Sequence, residues 1–348
     1  MIAASAPGKV ILVGEYAVLD GAPALAMGVD RRVNAHWHPR KSGGIELDLP
    51  PLTDKPLTLP LGESDWTRAV GDHQSHLCSA LGALQRLIEH GEPAWLAGPS
   101  TLHVDSRALY ADTAAKLGLG SSAAVAAVVA GMAMRSRHGK APAPADLHAV
   151  VRALPSHVQG SGLDLAAVIH GGVIEYRLGS ASPHPPTWGA VPWPDSLSGL
   201  IVWSGETASS SNFVARYQAW KEAEPQAWSR QFRVLQQLAE ASIKALKSSD
   251  IDGFIESLAD YSQQTGTMGG LMGACIATPT HRQLASMARA HGVMYKPSGA
   301  GGGDIGVVLS TDIDATQAVK AAMADAGFWA MALTPSEDGL TFESKPQA

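Results

Sequence analysis

The sequence predicts an α+β fold built from two units, and three observations predict it. At 348 residues the chain is about twice the length of an ordinary domain. Segments with strand character and segments with helical spacing mix without a clean βαβ rhythm, which disfavours a doubly wound sheet. The stretch "ASPHPPTWGAVPWP", Ala181 to Pro194, holds five prolines and no sustained periodicity. It reads as a linker between a first unit at residues 1–180 and a second at 195–348.

"KVILVGEYAVL" has the apolar, β-branched character of a buried strand running into a turn. "RVNAHWH" alternates like a second strand, and "STLHVDS" and "GGVIEYRLG" read as two more. "SALGALQRLIEHG" has helical spacing and ends on glycine. A helix is expected from Ser121 to about Arg137. After the proline-rich stretch, "LSGLIVWSG" starts a strand-rich unit. Trp228, Phe232, Leu235, Ala239, Ile243 and Leu246 fall on one helical stripe, a core face, and Pro225 separates that helix from the one before it. In "TPTHRQLASMARAHG" Thr278 caps a helix, Pro279 sits in its first turn and Gly292 ends it.

Composition narrows the function classes. A hydrophobic share of 45% and a charged share of 17% describe a folded chain, not a disordered one. The net charge of −6 and the lack of a basic block argue against nucleic acid, so any anionic ligand must be held by local positive groups. Cys78 and Cys275, the two cysteines, are far apart and form no metal or disulfide pattern, which fits a reducing cytoplasm. The N-terminal "MIAASAPGKVILVGEYAVL" is interrupted by Lys9 and Glu15 and reads as a strand, not a leader. No apolar run reaches membrane-spanning length, so no membrane association is expected.

Three glycine-rich segments carry the chemistry. In "KLGLGSSAA", Gly118 and Gly120 let the backbone bend, and Ser121 or Ser122 stands where a helix begins. The first amides of a helix lack internal partners and carry partial positive charge, so this is an anion site in waiting. A plain serine-capped helix explains the same residues equally well. The dinucleotide fingerprint G-x-G-x-x-A also matches, but "ADTAAK" precedes it where a strand should be, and His138 stands near where an acid is needed. No Walker lysine follows the glycines. "KPSGAGGGDIGVVL" packs four glycines into five residues and then runs straight into a strand, as if its backbone lay close against something. "SAPGKVILVGEY" places Lys9 just before a strand, where its side chain can reach a cleft.

Taken together and in this order, the segments resemble the three motifs of the GHMP kinase superfamily, over most of the chain. Within it the details are similar to the phosphomevalonate kinases: Tyr16 in "GEYAVLDG", "VDRR", "VQGSGLDLAAVIHGG", "VWSGETASSSNFV" and the last glycine-rich segment. The resemblance implies a two-domain GHMP kinase-like fold with its active-site cleft between the domains. It implies ATP as co-substrate, Mg²⁺ as cofactor and a small phosphorylated anion as acceptor; a homodimer is within its range. Residue by residue it implies catalytic roles for Lys9 and Asp164. It places the nucleotide on Lys116, Gly118, Leu119, Gly120, Ser121, Ser122 and Ala123, with Ser122 as metal ligand. For the acceptor it points to Glu15, Tyr16, Arg31, Arg32, His157, Ser161, Gly162, Ser209, Ser210, Gly299, Ala300, Gly301 and Gly302.

Two expectations follow. A phosphate monoester has a second pKa near 6 and is already mostly dianionic at neutral pH. It needs positive charge more than a base, so Asp164 is expected to orient Lys9 and the acceptor without taking a proton. Mevalonate kinases carry a magnesium-binding glutamate upstream of this aspartate. Here Ala153 stands in that place, and no acid lies between Asp146 and Asp164. The metal is therefore expected on Ser122, the ATP phosphates and water, with His157 a buried structural histidine ahead of a phosphate contact.

Overall fold

The computed structural model describes residues 1–59, 98–111, 115–152, 160–179 and 185–343. The helix expected over residues 79–91, Cys78 and His157 lie outside them.

Among the described residues the first sheet has eight strands. Strand β1 (Ile2–Val13) runs antiparallel to the long β2 (Ala24–Pro39). The first part of β2 pairs with β6 (Val173–Arg177) and its last part with β5 (Ser100–Asp105). Beyond β5 lie β3 (Ile45–Asp48), in parallel pairing, and then β4 (Leu57–Leu59). The "linker" needs correcting: within it, β7 (Thr187–Ala190) pairs with β6. Trp188 supplies the reason, since its ring stacks on Tyr176 with centroids 6.5 Å apart and meets His148 at 4.9 Å.

The second sheet has the order β11 (Ala330–Ala332), β8 (Ser198–Trp203), β10 (Ile305–Ser310), β9 (Met294–Pro297), all antiparallel. The chain then returns to the first sheet, where β12 (Thr341–Phe342) pairs with β1.

Eight α-helices are described. Helix α1 (Ser121–His138) is rich in alanine, valine and methionine and is buried through residues 124–134 against β1 and β2. It is joined there by α2 (Pro144–Arg152) and α3 (Leu163–His170). Helices α4 (Ser210–Ala223) and α5 (Pro225–Lys247) break at Pro225 as expected. The α5 stripe buries Leu235, Ala239, Ile243 and Leu246, with Trp228 and Phe232 partly covered. Helix α6 (Ile251–Leu271) packs on β9 and β1, so Phe254, Leu258, Tyr261 and Met268 sit in the core shared by both sheets. Helix α7 (Pro279–Ala290) begins as read from the sequence, with the Thr278 side chain accepting the His281 amide at 3.2 Å. With α8 (Ile313–Asp325) it covers the outer face of the second sheet through Leu284, Ala288, Val319 and Met323. No helix among the described residues is long and apolar enough to cross a membrane.

Candidate active site

Strand β1 is irregular at two places, and both shape the site. Its register with β2 shifts between Pro7 and Gly8 and again between Ile11 and Val13. Bulges re-aim the residues beside them. After the first shift the Lys9 amide donates to the Leu119 carbonyl at 2.8 Å, which ties the strand to the first glycine-rich turn. At the second, the Ser298 hydroxyl accepts from the Ile11 amide at 3.1 Å and donates to the Ile11 carbonyl at 2.9 Å. The third glycine-rich segment is thereby stitched onto the same strand.

The first turn is held by apolar anchors and left-handed glycines. Leu117 and Leu119 are fully buried, while Gly118 and Gly120 take φ of +83° and +78°. Such angles favour glycine, and here the space demands it too. A Cβ on Gly120 would lie 2.7 Å from Lys9 Cγ, and one on Gly118 would lie 2.5 Å from Asp304 Cβ. Three segments far apart in sequence thus meet at two glycine α-carbons. Directly after Gly120, α1 starts with Ser121 buried and Ser122 half-buried. Its first amides, which open a helix and so have no carbonyl one turn earlier within it, border this cradle.

Lys9 is only 6% exposed, yet its Nζ lies 3.4 Å from Asp164 Oδ2, whose side chain is 44% exposed. Asp164 is in the first turn of α3, and the turn before it is fixed from below. Neutral His148, its pKa lowered by burial, donates Nε2–H to the Gly162 carbonyl at 3.0 Å. Tyr176, pushed up to about 12 by burial, donates to the Ser161 carbonyl at 2.5 Å. Gly162 at φ +82° has no room for a side chain, since its Cβ would fall 2.9 Å from His148 Nε2. Lys116 completes the cationic group. Burial lowers its pKa, Asp304 and Asp164 pull it back up, and Lys9 opposes them.

The third segment, Ser298–Asp304, turns between β9 and β10 under several ties. The buried Glu15 and Lys296 pair at 2.6 Å, and Glu15 Oε1 also accepts the Gly299 amide at 3.4 Å. Tyr16 donates to the Ala300 carbonyl at 2.5 Å, and Tyr261 donates to the Glu15 carbonyl at 2.7 Å. Gly302 abuts Phe213 of α4, where a Cβ would come within 2.2 Å of the ring. Below the turn His281, its pKa lowered by burial, donates Nε2–H to the Gly303 carbonyl at 2.9 Å and accepts the Tyr295 hydroxyl on Nδ1 at 2.6 Å.

Most residues singled out in the sequence therefore converge. Lys9, Asp164, Lys116 and the Gly118–Ser122 turn form the cradle, with Glu15, Tyr16 and Gly299–Gly302 beside it. Ser161 and Gly162 precede Asp164. Ser209 and Ser210 open α4 next to Asp304, which accepts the Ala208 amide at 3.1 Å. The arginine pair is different. Arg32 is spent on structure: its guanidinium donates to Ser5 Oγ and the Ser5 carbonyl, and to Ser336 Oγ, Asp338 O and Gly339 O, at 2.7–3.1 Å. This replaces the acceptor contact expected of it with a clamp on the returning C-terminal segment. Arg31 donates to the Ala108 carbonyl at 2.8 Å and lies over the Trp329 ring at 5.0 Å. Sequence reasoning missed His148, Tyr176, His281, Lys296 and Asp304. Asp304 had a signal, being an acid directly after a glycine run; the others carry none locally.

The cradle fits a nucleotide phosphate and its metal ion. Glycine α-carbons leave the space, helix-opening amides and two lysines supply donors, and Ser122 brings a hydroxyl oxygen to the same turn. No cluster of three acidic, histidine or cysteine side chains suited to a metal exists among the described residues. A divalent ion there would rest on Ser122 and on the phosphates themselves.

No family model matches the chain. It is 29% identical to the phosphomevalonate kinase of a Streptomyces species over 374 residues, covering 96% of this chain and 97% of that protein. It is 25% identical to the mevalonate kinase of Thermococcus sibiricus, covering 98% of each. Its fold matches that of Streptococcus pneumoniae phosphomevalonate kinase, solved with phosphomevalonate and AMPPNP, with a TM-score of 0.75 at 21% identity across 96% of this chain and 100% of that one. Along its full length the chain is thus similar to phosphomevalonate and mevalonate kinases and shares their fold, with three glycine-rich segments meeting over one lysine and one aspartate.

Proposed function

We propose that the chain transfers the γ-phosphoryl group of ATP to 5-phosphomevalonate, giving 5-diphosphomevalonate and ADP. The observation that carries this reading is Lys9 Nζ, 3.4 Å from Asp164 Oδ2, with the Lys9 stem pressed against Gly120 of the helix-opening turn. Phosphoryl transfer depends on positioning and on neutralising charge. Residues 1–180 would supply the nucleotide cradle and residues 195–348 the glycine turn that borders it. Mg²⁺ would be held by Ser122 and would draw charge off the β- and γ-phosphates. Lys9 and Lys116 would offset the charge of two approaching polyanions. Asp164, half-exposed and paired with Lys9, holds the ammonium in place, and a dianionic acceptor gives it no proton to take. The likeness to the Streptomyces phosphomevalonate kinase favours the phosphorylated acceptor.

The test incubates the protein with Mg-ATP and either 5-phosphomevalonate or mevalonate and follows products by phosphorus NMR. A new diphosphate pair with the first acceptor is expected. A monoester formed from mevalonate alone would overturn the acceptor assignment, and no turnover with either would overturn the kinase reading.

A further inference from the structure

Three successive residues of the third glycine-rich segment are each tied to one short stretch of the first unit. Ser298 bonds both backbone groups of Ile11, at 3.1 and 2.9 Å. The Gly299 amide donates to Glu15 Oε1 at 3.4 Å, and the Ala300 carbonyl accepts the Tyr16 hydroxyl at 2.5 Å. The partners advance together, Ile11 to Tyr16 against Ser298 to Ala300, and Lys9 lies on the same strand two residues before Ile11.

The first unit accepts strain to make these ties. Tyr16 has a φ of +64°, in the left-handed region that strains a side chain. Gly14 stands at +103°, where a Cβ would fall 2.4 Å from that of Ala24. From this tight turn both Glu15 and Tyr16 cross to residues 195–348. Glu15 and Lys296 bury a full charge pair at 2.6 Å, with 6% and 2% exposure, and the Glu15 carbonyl is pinned by Tyr261. Glu15 Oε2 is buried with no hydrogen-bond partner among the described residues. A buried ion pair seldom stabilises a fold more than apolar side chains of the same size, and a half-bonded carboxylate does so less. Strain and an incompletely bonded acid at one turn point to a task other than stability.

What they hold shows the task. Gly299 and Gly301 take φ of +85° and +73°, and Ala300 between them does not take a positive φ. Such alternation turns successive amides to one side and makes a concavity suited to an anion. We propose that Glu15 and Tyr16, with Lys296 as the buried counter-charge, are positioning residues: they set the Gly299–Gly302 turn, the acceptor side of the site, against the strand that carries Lys9. This rests on the acceptor reading of that turn, and it makes the acceptor roles of Glu15 and Tyr16 indirect. An acceptor phosphate must meet the γ-phosphate beside Lys9, and an error of about 1 Å in such a placement can cost about a hundredfold in rate.

Two variants test it. Tyr16→Phe removes one hydroxyl and keeps the ring beside Tyr217, 5.5 Å away between centroids. Glu15→Met combined with Lys296→Met removes both charges and the Gly299 acceptor with apolar side chains of similar volume, so no lone charge is left buried. In each, kcat/KM for the acceptor at saturating ATP is expected to fall roughly tenfold or more. Affinity for a non-hydrolysable ATP analogue, read by calorimetry, is expected to stay within about twofold, because the Gly118–Gly120 turn is tied to β1 through Leu119 and not through this pair. The urea midpoint of the double variant is expected to stay close to that of the wild type. Glu15→Gln combined with Lys296→Met returns an oxygen for the Gly299 amide and is expected to recover part of the loss. A double variant with wild-type acceptor kinetics, or one whose analogue affinity falls as far as its acceptor kinetics, would overturn the proposal. Amide NMR of the ligand-free protein separates it from the acceptor reading. In the double variant the Gly299 amide is expected to shift and to exchange roughly tenfold faster or more, while the Lys9 amide, bonded to the Leu119 carbonyl, keeps its wild-type rate. If the wild type turned over neither acceptor, the acceptor reading would fall, and a Gly299 amide unmoved in the double variant would still overturn the positioning role.

Discussion

Gly120→Ala probes the cradle at its tightest point. The substitution has two separable costs. One is backbone strain, because φ at this position is +78° and a left-handed alanine costs about 1–2 kcal/mol. The other is steric: the new methyl would stand 2.7 Å from Lys9 Cγ and 2.9 Å from its Cε, and Lys9 is too buried to swing aside freely. The lysine must shift, and with it the ammonium now 3.4 Å from Asp164. A displacement approaching 1 Å in a positioning group lowers kcat/KM by about a hundredfold at most, so a loss of roughly 10- to 100-fold, or about 1.4–2.7 kcal/mol in the barrier, is expected. Gly139→Ala supplies the control. It caps the other end of α1 at φ +69° with open space around it, so it carries the strain without the clash. The assay pairs urea denaturation with ADP release coupled to a dehydrogenase. Both variants should lose about 1–2 kcal/mol of stability from strain, and only Gly120→Ala should lose turnover. A Gly120→Ala enzyme with kcat/KM within twofold of wild type would refute the claim that Lys9 is placed by this glycine.

Two further outcomes are expected. Arg32→Ala should cost about 2–3 kcal/mol of stability in denaturant, through lost charge-assisted bonds to the C-terminal segment, and leave the acceptor KM within about twofold; a large KM rise would restore the substrate contact. His148 and His281 both have folded pKa values below the ordinary one, so the unfolded chain binds more protons below about pH 6.5. Their stabilisation is complete above that pH and is lost as pH falls from there toward the folded values, by up to about 1.4 kcal/mol per pH unit for each histidine. His281→Asn should flatten the slope of unfolding free energy against pH in that window, and an unchanged slope would count against a neutral His281.

What the sequence showed and hid follows a physical line. Local rules carried β1, the α5 stripe and the capped start of α7, because each rests on neighbours within a few residues. The glycine turn before Ser121 was readable for the same reason: φ and amide exposure are local properties. Arg32 was misread because nothing near it in sequence announces its partners, which lie some 300 residues further on at Ser336 and Gly339. Trp188 was hidden by the prolines around it, although its aromatic contacts make the stretch a strand. His281 looked like an ordinary helix residue, and only the fold brings the Gly303 carbonyl to it.

The pairing of β12 with β1 has a consequence for biosynthesis. Strand β1 is synthesised well before β12, so its edge at Ala4 and Ser5 has no strand neighbour until the segment around Thr341 has followed. Domains usually mature in order as they are made, N-terminal part first. Here that part of the sheet must wait with an open flank until Thr341 and Phe342 are made, so a nascent chain stalled before them would expose a short strand edge to other chains.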